Sequence, residues 1–167
     1  MSDRYRSFKK KYIEARDDAM FLQADQTSRR VLYACNIVEE LKQIVLKEPA
    51  KIKSFLEVRV SDLFLTNAVN LLIFFSTDTI NMLLKILETT TYSDGVHASC
   101  LRMFRDHASY PKYRRDIGFH TKTSLRNNME TCGVEKRLAA LHLKNGSNVI
   151  KIKQILDNLN QGLIERV

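Results

Sequence analysis

Apolar residues recur at intervals of three and four along most of the chain, the spacing of one helix face. Tyr5, Phe8, Tyr12, Ala15, Ala19 and Leu22 define a first helix, with Lys9, Lys10, Lys11, Arg16 and Asp17 mostly on its wet side. Polar residues from Gln23 to Arg30 interrupt it, and Asp25, Thr27 or Ser28 can each supply the acceptor that caps the next helix. That second helix, ending near Lys47, carries a wide stripe of Val31, Ala34, Cys35, Val38, Leu41, Ile44 and Val45, suited to packing on more than one neighbour. Pro49 fits the first turn of a short third helix, where its missing N–H costs nothing, and Ile52, Phe55 and Leu56 form its inner face. Ser61 caps a central helix through Leu63, Leu65, Ala68, Val69, Leu72, Ile73 and Phe75. The apolar run from Leu71 to Phe75 would also suit a buried strand, but Asn67, Asn70 and the lack of turn signals favour helix.

Ser76, Thr77, Asp78 and Thr79 are all capping types, and Ile80, Leu83, Leu84 and Leu87 follow at helical spacing. The turn Ser93-Asp94-Gly95 leads into Val96, Cys100, Met103, Phe104 and His107, and Pro111 ends that helix. Beyond it, Gly118, Gly133, Gly146 and Gly162 mark helix ends, because glycine enters the left-handed conformation without penalty. Three short helices result, about Thr121 to Cys132, Val134 to Lys144 and Asn148 to Asn160. Ser147 or Asn148 caps the last, whose apolar residues are Val149, Ile152, Ile155, Leu156 and Leu159.

Short helices joined by short turns raise the question of internal repetition, since solenoids of two or three helices have periods near 40 residues. Leu84 falls on Leu125 at an offset of 41 and Leu87 on Met129 at 42; Val96 falls on Val134, Cys100 on Leu138 and Leu101 on Ala139 at 38. Upstream, Val38, Leu41 and Val45 lead Ile80, Leu83 and Leu87 by 42. A leucine-bearing middle helix, a Gly-containing turn and a third helix opening with Val resemble the armadillo repeat over residues 77–162. The chain departs from the family in lacking the Gly before Ile80 and the Asn-Leu that closes the third helix. The resemblance implies an all-α protein of about eight helices, a right-handed α-solenoid of armadillo or HEAT type in a single domain. Residues 1–29 are then an N-terminal helix and cap, 30–76 a helical layer and 77–162 two repeats. A plain helical bundle is the other architecture this spacing allows.

The 167 residues hold 27 Lys and Arg against 19 Asp and Glu, a net charge of +8. Residues 1–96 are nearly balanced, 14 against 13, whereas 97–167 hold 13 against 6. Such a one-sided surface attracts acidic proteins or nucleic acid. No uncharged run reaches the roughly 18 residues of a membrane helix, and MSDRYRSFKKKYIEARDD lacks the apolar stretch of a secretory signal. A soluble chain in the cytoplasm or nucleus is expected.

Chemistry is sparse. Cys35, Cys100 and Cys132 are far apart and read as buried thiols. His97, His107, His120 and His142 are scattered, so no metal centre is expected. Phosphate-cradling and nucleophile-elbow motifs are absent, which argues for a non-enzymatic chain with no cofactor. The acidic pairs Asp17-Asp18 and Glu39-Glu40 diverge by about 100° on a helix and are solvated.

What stands out is basic. If the third helices of the two repeats lie side by side, as the resemblance implies, Arg102, Arg105, Lys136, Arg137 and Lys144 line one groove. Such a ladder suits an acidic or phosphorylated partner segment, with arginine's planar fork making the specific contacts. The expectation is an adaptor or scaffold module. The alternative is a helical nucleic-acid-binding protein using the same half, with Tyr110, Lys112, Tyr113, Arg114 and Arg115 combining cations with stacking rings. Because a short solenoid leaves exposed ends, a second copy or a partner helix is expected to cover one of them.

Overall fold

The computed structural model describes residues 24–60, 65, 68–109 and 118–164, with side chains described from 29 to 160 within those ranges. The first helix expected over Tyr5 to Leu22 and the basic cluster from Tyr110 to Arg115 lie outside them. Among the described residues the chain is all-helical, with eight α-helices and no strand. They are α1 (Ala24–Lys47), α2 (Ile52–Ser54), α3 (Ala68–Phe74), α4 (Thr77–Glu88), α5 (Asp94–Met103), α6 (Phe119–Thr131), α7 (Val134–Ala139) and α8 (Gly146–Ile164).

Helix α1 starts within the polar stretch read as an interruption. It buries Val31, Ala34, Cys35, Ile37, Val38, Leu41 and Ile44, mainly against α3. Every residue of α3 is buried, as its apolar run requires. Pro49 opens a 3₁₀ turn (Pro49–Lys51) that leads into α2. A π turn, Phe55–Arg59, follows α2, and a second, Phe104–Ala108, follows α5. Each is closed by a five-residue bond, Val60 N–H to the Phe55 carbonyl at 3.0 Å and Ser109 N–H to the Phe104 carbonyl at 2.8 Å. Between α3 and α4 the axis bends by 55°, with Ser76 at the N-cap position of α4. No single helix among the described residues is long and apolar enough to cross a membrane.

Side-chain bonds give the direction of each helix relative to its neighbours. Arg59 reaches back to Glu40 (3.6 Å) and Tyr33 (3.4 Å), so α1 and the stretch through α2 run antiparallel. Lys53 lies beside Gly95, and one turn further along each helix Ser99 Oγ donates to Glu57 at 2.9 Å. Hence α2 and α5 run parallel, with 42 residues separating Ser99 from Glu57. Along α8, Asn148 Nδ2 donates to the Asp94 carbonyl (3.1 Å), Arg105 Nη1 donates to Gln154 (3.2 Å) and Asn158 Nδ2 donates to Ser109 Oγ (3.1 Å). Thus α8 also runs parallel to α5, so α2, α5 and α8 form one layer.

The neighbour running along α5 is therefore α8, and the interval between paired residues there is 49 rather than 38. The expected helix from Val134 to Lys144 stops at Ala139, and the extra turn and loop lengthen the crossover. Of the four glycines, Gly133 has φ of +63° and ends a helix as expected. Gly146 opens α8 instead, with Asn145 Oδ1 accepting from Asn148 N–H at 3.2 Å as the cap. Gly162 lies inside α8, and Gly118 precedes α6 with extended ψ.

Behind the layer, α6 braces the α3–α4 joint. Asn128 Nδ2 donates to the Phe75 carbonyl (3.0 Å) and the Cys132 thiol to the Thr77 carbonyl (3.4 Å). The core between these layers holds Leu84, Leu87, Cys100, Leu101, Phe104, Leu125, Met129 and Leu138, with Leu141 and Leu159 packed at its margin. Burial pushes the Cys100 thiol up to about 12 and raises Cys132 as well. All three cysteines are buried thiols outside any disulfide.

His97 is a core element the sequence does not announce. Its buried Nε2 lies 3.0 Å from the Ile86 carbonyl and 3.1 Å from the Thr89 carbonyl. Two carbonyls can only accept, so Nε2 carries the hydrogen and adds a second donor to carbonyls at the end of α4 that already accept from Thr89 N–H and Tyr92 N–H. Replacing His97 by Phe keeps the volume and removes the donor. Unfolding in guanidinium should show a loss of about 0.5 to 1.5 kcal/mol, and His97→Gln, which retains an N–H, a smaller one.

Candidate basic site on the parallel layer

Five cations are expected along one groove, and the structure divides them. Arg102 and Arg105 project from α5 and its π turn at 41% and 29% side-chain exposure. Arg102 Nη1 donates to Glu57 at 3.1 Å. Arg105 Nε donates to Asp106 at 2.8 Å and Nη1 to Gln154 at 3.2 Å. Arg137 turns to α4 instead: Nε and Nη2 grip Glu88 at 3.1 and 2.5 Å, and Nη1 reaches Asn81 at 2.9 Å. Lys136 and Lys144 are exposed and form no ion pair among the described residues. The single ladder is thus replaced by two groups, one held between α2 and α8 and the other anchored on α4, because α7 is too short and faces α4 rather than α5.

The forked pair of Arg137 and Glu88 is a strut between α7 and α4. The hydrogen bonds from Arg137 hold the Glu88 carboxyl below its usual value of 4.5, against a smaller opposing effect of burial. A carboxylate lowered on folding contributes stability above its unfolded pKa and loses it as pH falls through the folded one. Wild type should therefore exceed Glu88→Gln in stability at pH 7, by about 1 kcal/mol or less for so exposed a pair. The gap should close below pH 4, which denaturant curves at the two pH values will read.

In place of the α7 cations, the α5 arginines gain Lys151 from α8. Its position in the sequence gives no warning, since the apolar pattern of α8 implies an inner face through Val149. Instead Val149 is exposed, and the inner face runs through Asn148, Lys151, Ile152, Ile155 and Asn158. The helix is turned so that its polar residues meet the carbonyl of Asp94 on α5 and the hydroxyl of Ser109 just beyond its π turn. Lys151 is 8% exposed and its Nζ donates to Ser147 Oγ (2.7 Å) and more weakly to the Ser147 carbonyl (3.5 Å). Burial and the positive charges of Arg102 and Arg105 hold its ammonium below the ordinary lysine range. Arg105 reaches across the α5–α8 seam to Gln154, three residues along α8 from Lys151, and Arg102 turns to Glu57, while Gly95 and Ser99 pack against Lys53 and Glu57.

Among the described residues no group of histidine, cysteine or acidic side chains is placed to hold a metal ion. Compared with models of known families, with curated proteins and with solved structures, the chain matches none.

Proposed function

We propose that the chain is a non-enzymatic interaction module that receives an extended acidic or phosphorylated segment of a partner protein along the α5 face. The observation that carries this reading is that Arg102 and Arg105, three residues apart, both reach the surface along the α5 face, with Arg105 bonded across to Gln154 of α8, in the half of the chain that holds 13 Lys and Arg against 6 Asp and Glu. Gathering like charges costs free energy in the unbound chain, and an anionic partner recovers it. The parallel order of α2, α5 and α8 supports a short right-handed solenoid of armadillo type, with α3-α4-α5 and α6-α7-α8 as successive units. A cytoplasmic or nuclear setting, where such adaptors meet their partners, is part of the same proposal.

Fluorescence anisotropy of labelled oligoglutamate, set beside labelled single-stranded RNA of similar charge, tests it. The peptide should bind, with a shallower dependence of affinity on salt than a nucleic acid that releases counterions at each phosphate. Tight RNA binding with a steep salt slope and no peptide binding would overturn the reading in favour of the nucleic-acid alternative.

A further inference from the structure

We propose that the chain forms a homodimer through the outer face of α8, two copies laying this helix antiparallel about a two-fold axis midway between Lys153 and Asp157. This surface is separate from the α5 face proposed to take a peptide. Asn148 and Asn158 hold one side of α8 against α5 and the end of its π turn, and Ile152 and Ile155 belong to the core. The opposite side exposes Val149 (47%) and Ile150 (60%), followed by Lys153 and Asp157, both exposed. At 3.6 residues per turn these four positions fall within an arc of about 100°, so they form one stripe facing away from the layer. Lys153 and Asp157 stand four residues apart, near enough to pair along the helix. Among the described residues, neither makes an ion pair.

The order of charges along the stripe selects both the occupant and its direction. A two-fold interface sets one patch against itself, so the patch must complement its own reverse. In the antiparallel arrangement Lys153 of each copy faces Asp157 of the other, which gives two equivalent ion pairs, and Val149 and Ile150 lie over the last turns of the other copy's α8. A parallel arrangement in the same register would set lysine against lysine and aspartate against aspartate, and like charges so placed repel. The other adjacent pair of exposed apolar residues, Leu32 and Tyr33 on α1, does not offer this exchange. The charges near it, Arg59 and Glu40, already pair with each other at 3.6 Å.

Sedimentation equilibrium of the full chain, over loading concentrations from about 10 µM to 1 mM, tests the dimer. A single helix face is small beside a standard interface, so the wild type should dissociate near about 100 µM. Lys153→Glu gathers four carboxylates at the axis and Asp157→Lys gathers four ammonium groups, and each should raise Kd by about tenfold or more. The double variant re-forms both pairs with their ends exchanged and should return Kd to within about threefold of wild type. Ile150→Asp should remain monomeric across the range while its far-UV circular dichroism matches wild type, because the side chain is exposed. A wild type that stays monomeric at the highest concentration overturns the proposal. So does a dimer that the single reversals leave unchanged, or one that the double variant fails to regain.

Discussion

Replacing Phe104 by alanine is expected to lower the free energy of unfolding by about 3 to 5 kcal/mol. Phe104 is fully buried, its ring lies 6.2 Å from that of Phe75, and its carbonyl closes the π turn after α5. Removing the ring opens a cavity where α5, α3 and the π turn meet, and the backbone bond that fixes the turn prevents the site from collapsing to fill it. Leu84→Ala, also at a fully buried position, should cost about 2 to 5 kcal/mol. Leu141 is only partly buried, at the core's edge, so Leu141→Ala should cost clearly less than either. Urea unfolding midpoints with unchanged slope will rank the three, and a Leu141 loss equal to that of Leu84 would refute the packing described for the end of α7.

Reversing Arg105 to Glu is expected to weaken oligoglutamate binding by tenfold or more, about 1.4 kcal/mol or above. The substitution removes one cation from the seam and sets a carboxylate beside Asp106, so an attractive contact becomes a repulsive one. Stability should change little, because the pair it breaks is partly exposed and such pairs contribute about 0 to 1 kcal/mol. Lys85→Glu makes the same change of charge on α4 and should leave affinity close to wild type. Equal losses for the two variants would show that net charge alone drives binding and that the seam is no site.

Helix type and most of the core were readable from the sequence because burial in an all-helical chain imposes a period, and the stripe of α1 and the leucines of α4 obey it. The 42-residue offset in the sequence relates α1 to α4; the structure has an equal interval between α2 and α5, where Glu57 meets Ser99. It breaks after α5 because α7 is cut short, and neither apolar spacing nor glycine position encodes which of two later helices returns to α5. Two of the three cations of the candidate site were legible: Arg102 and Arg105 are spaced to leave α5 together, since the apolar face of that helix turns them outward. Lys151 was hidden because a lysine in an amphipathic helix is read as wet. Its place beside Ser147 depends on the rotation of α8 that Asn148 and Asn158 impose through their bonds to α5. The same blindness applies to His97, whose role is set by carbonyls 8 and 11 residues upstream rather than by any pattern of side chains.

The parallel layer also has a kinetic consequence. In an up-and-down bundle each helix meets its neighbour across a loop of a few residues, so nuclei form locally and quickly. Here α2 must find α5 across 42 residues and α5 must find α8 across 49, so the entropy of closing each long segment is lost before the contact stabilises anything. Chains with such distant pairings fold more slowly than helical bundles of equal length. During synthesis the α1–α2 hairpin emerges with its layer face uncovered, and that face stays open until α5 has left the ribosome.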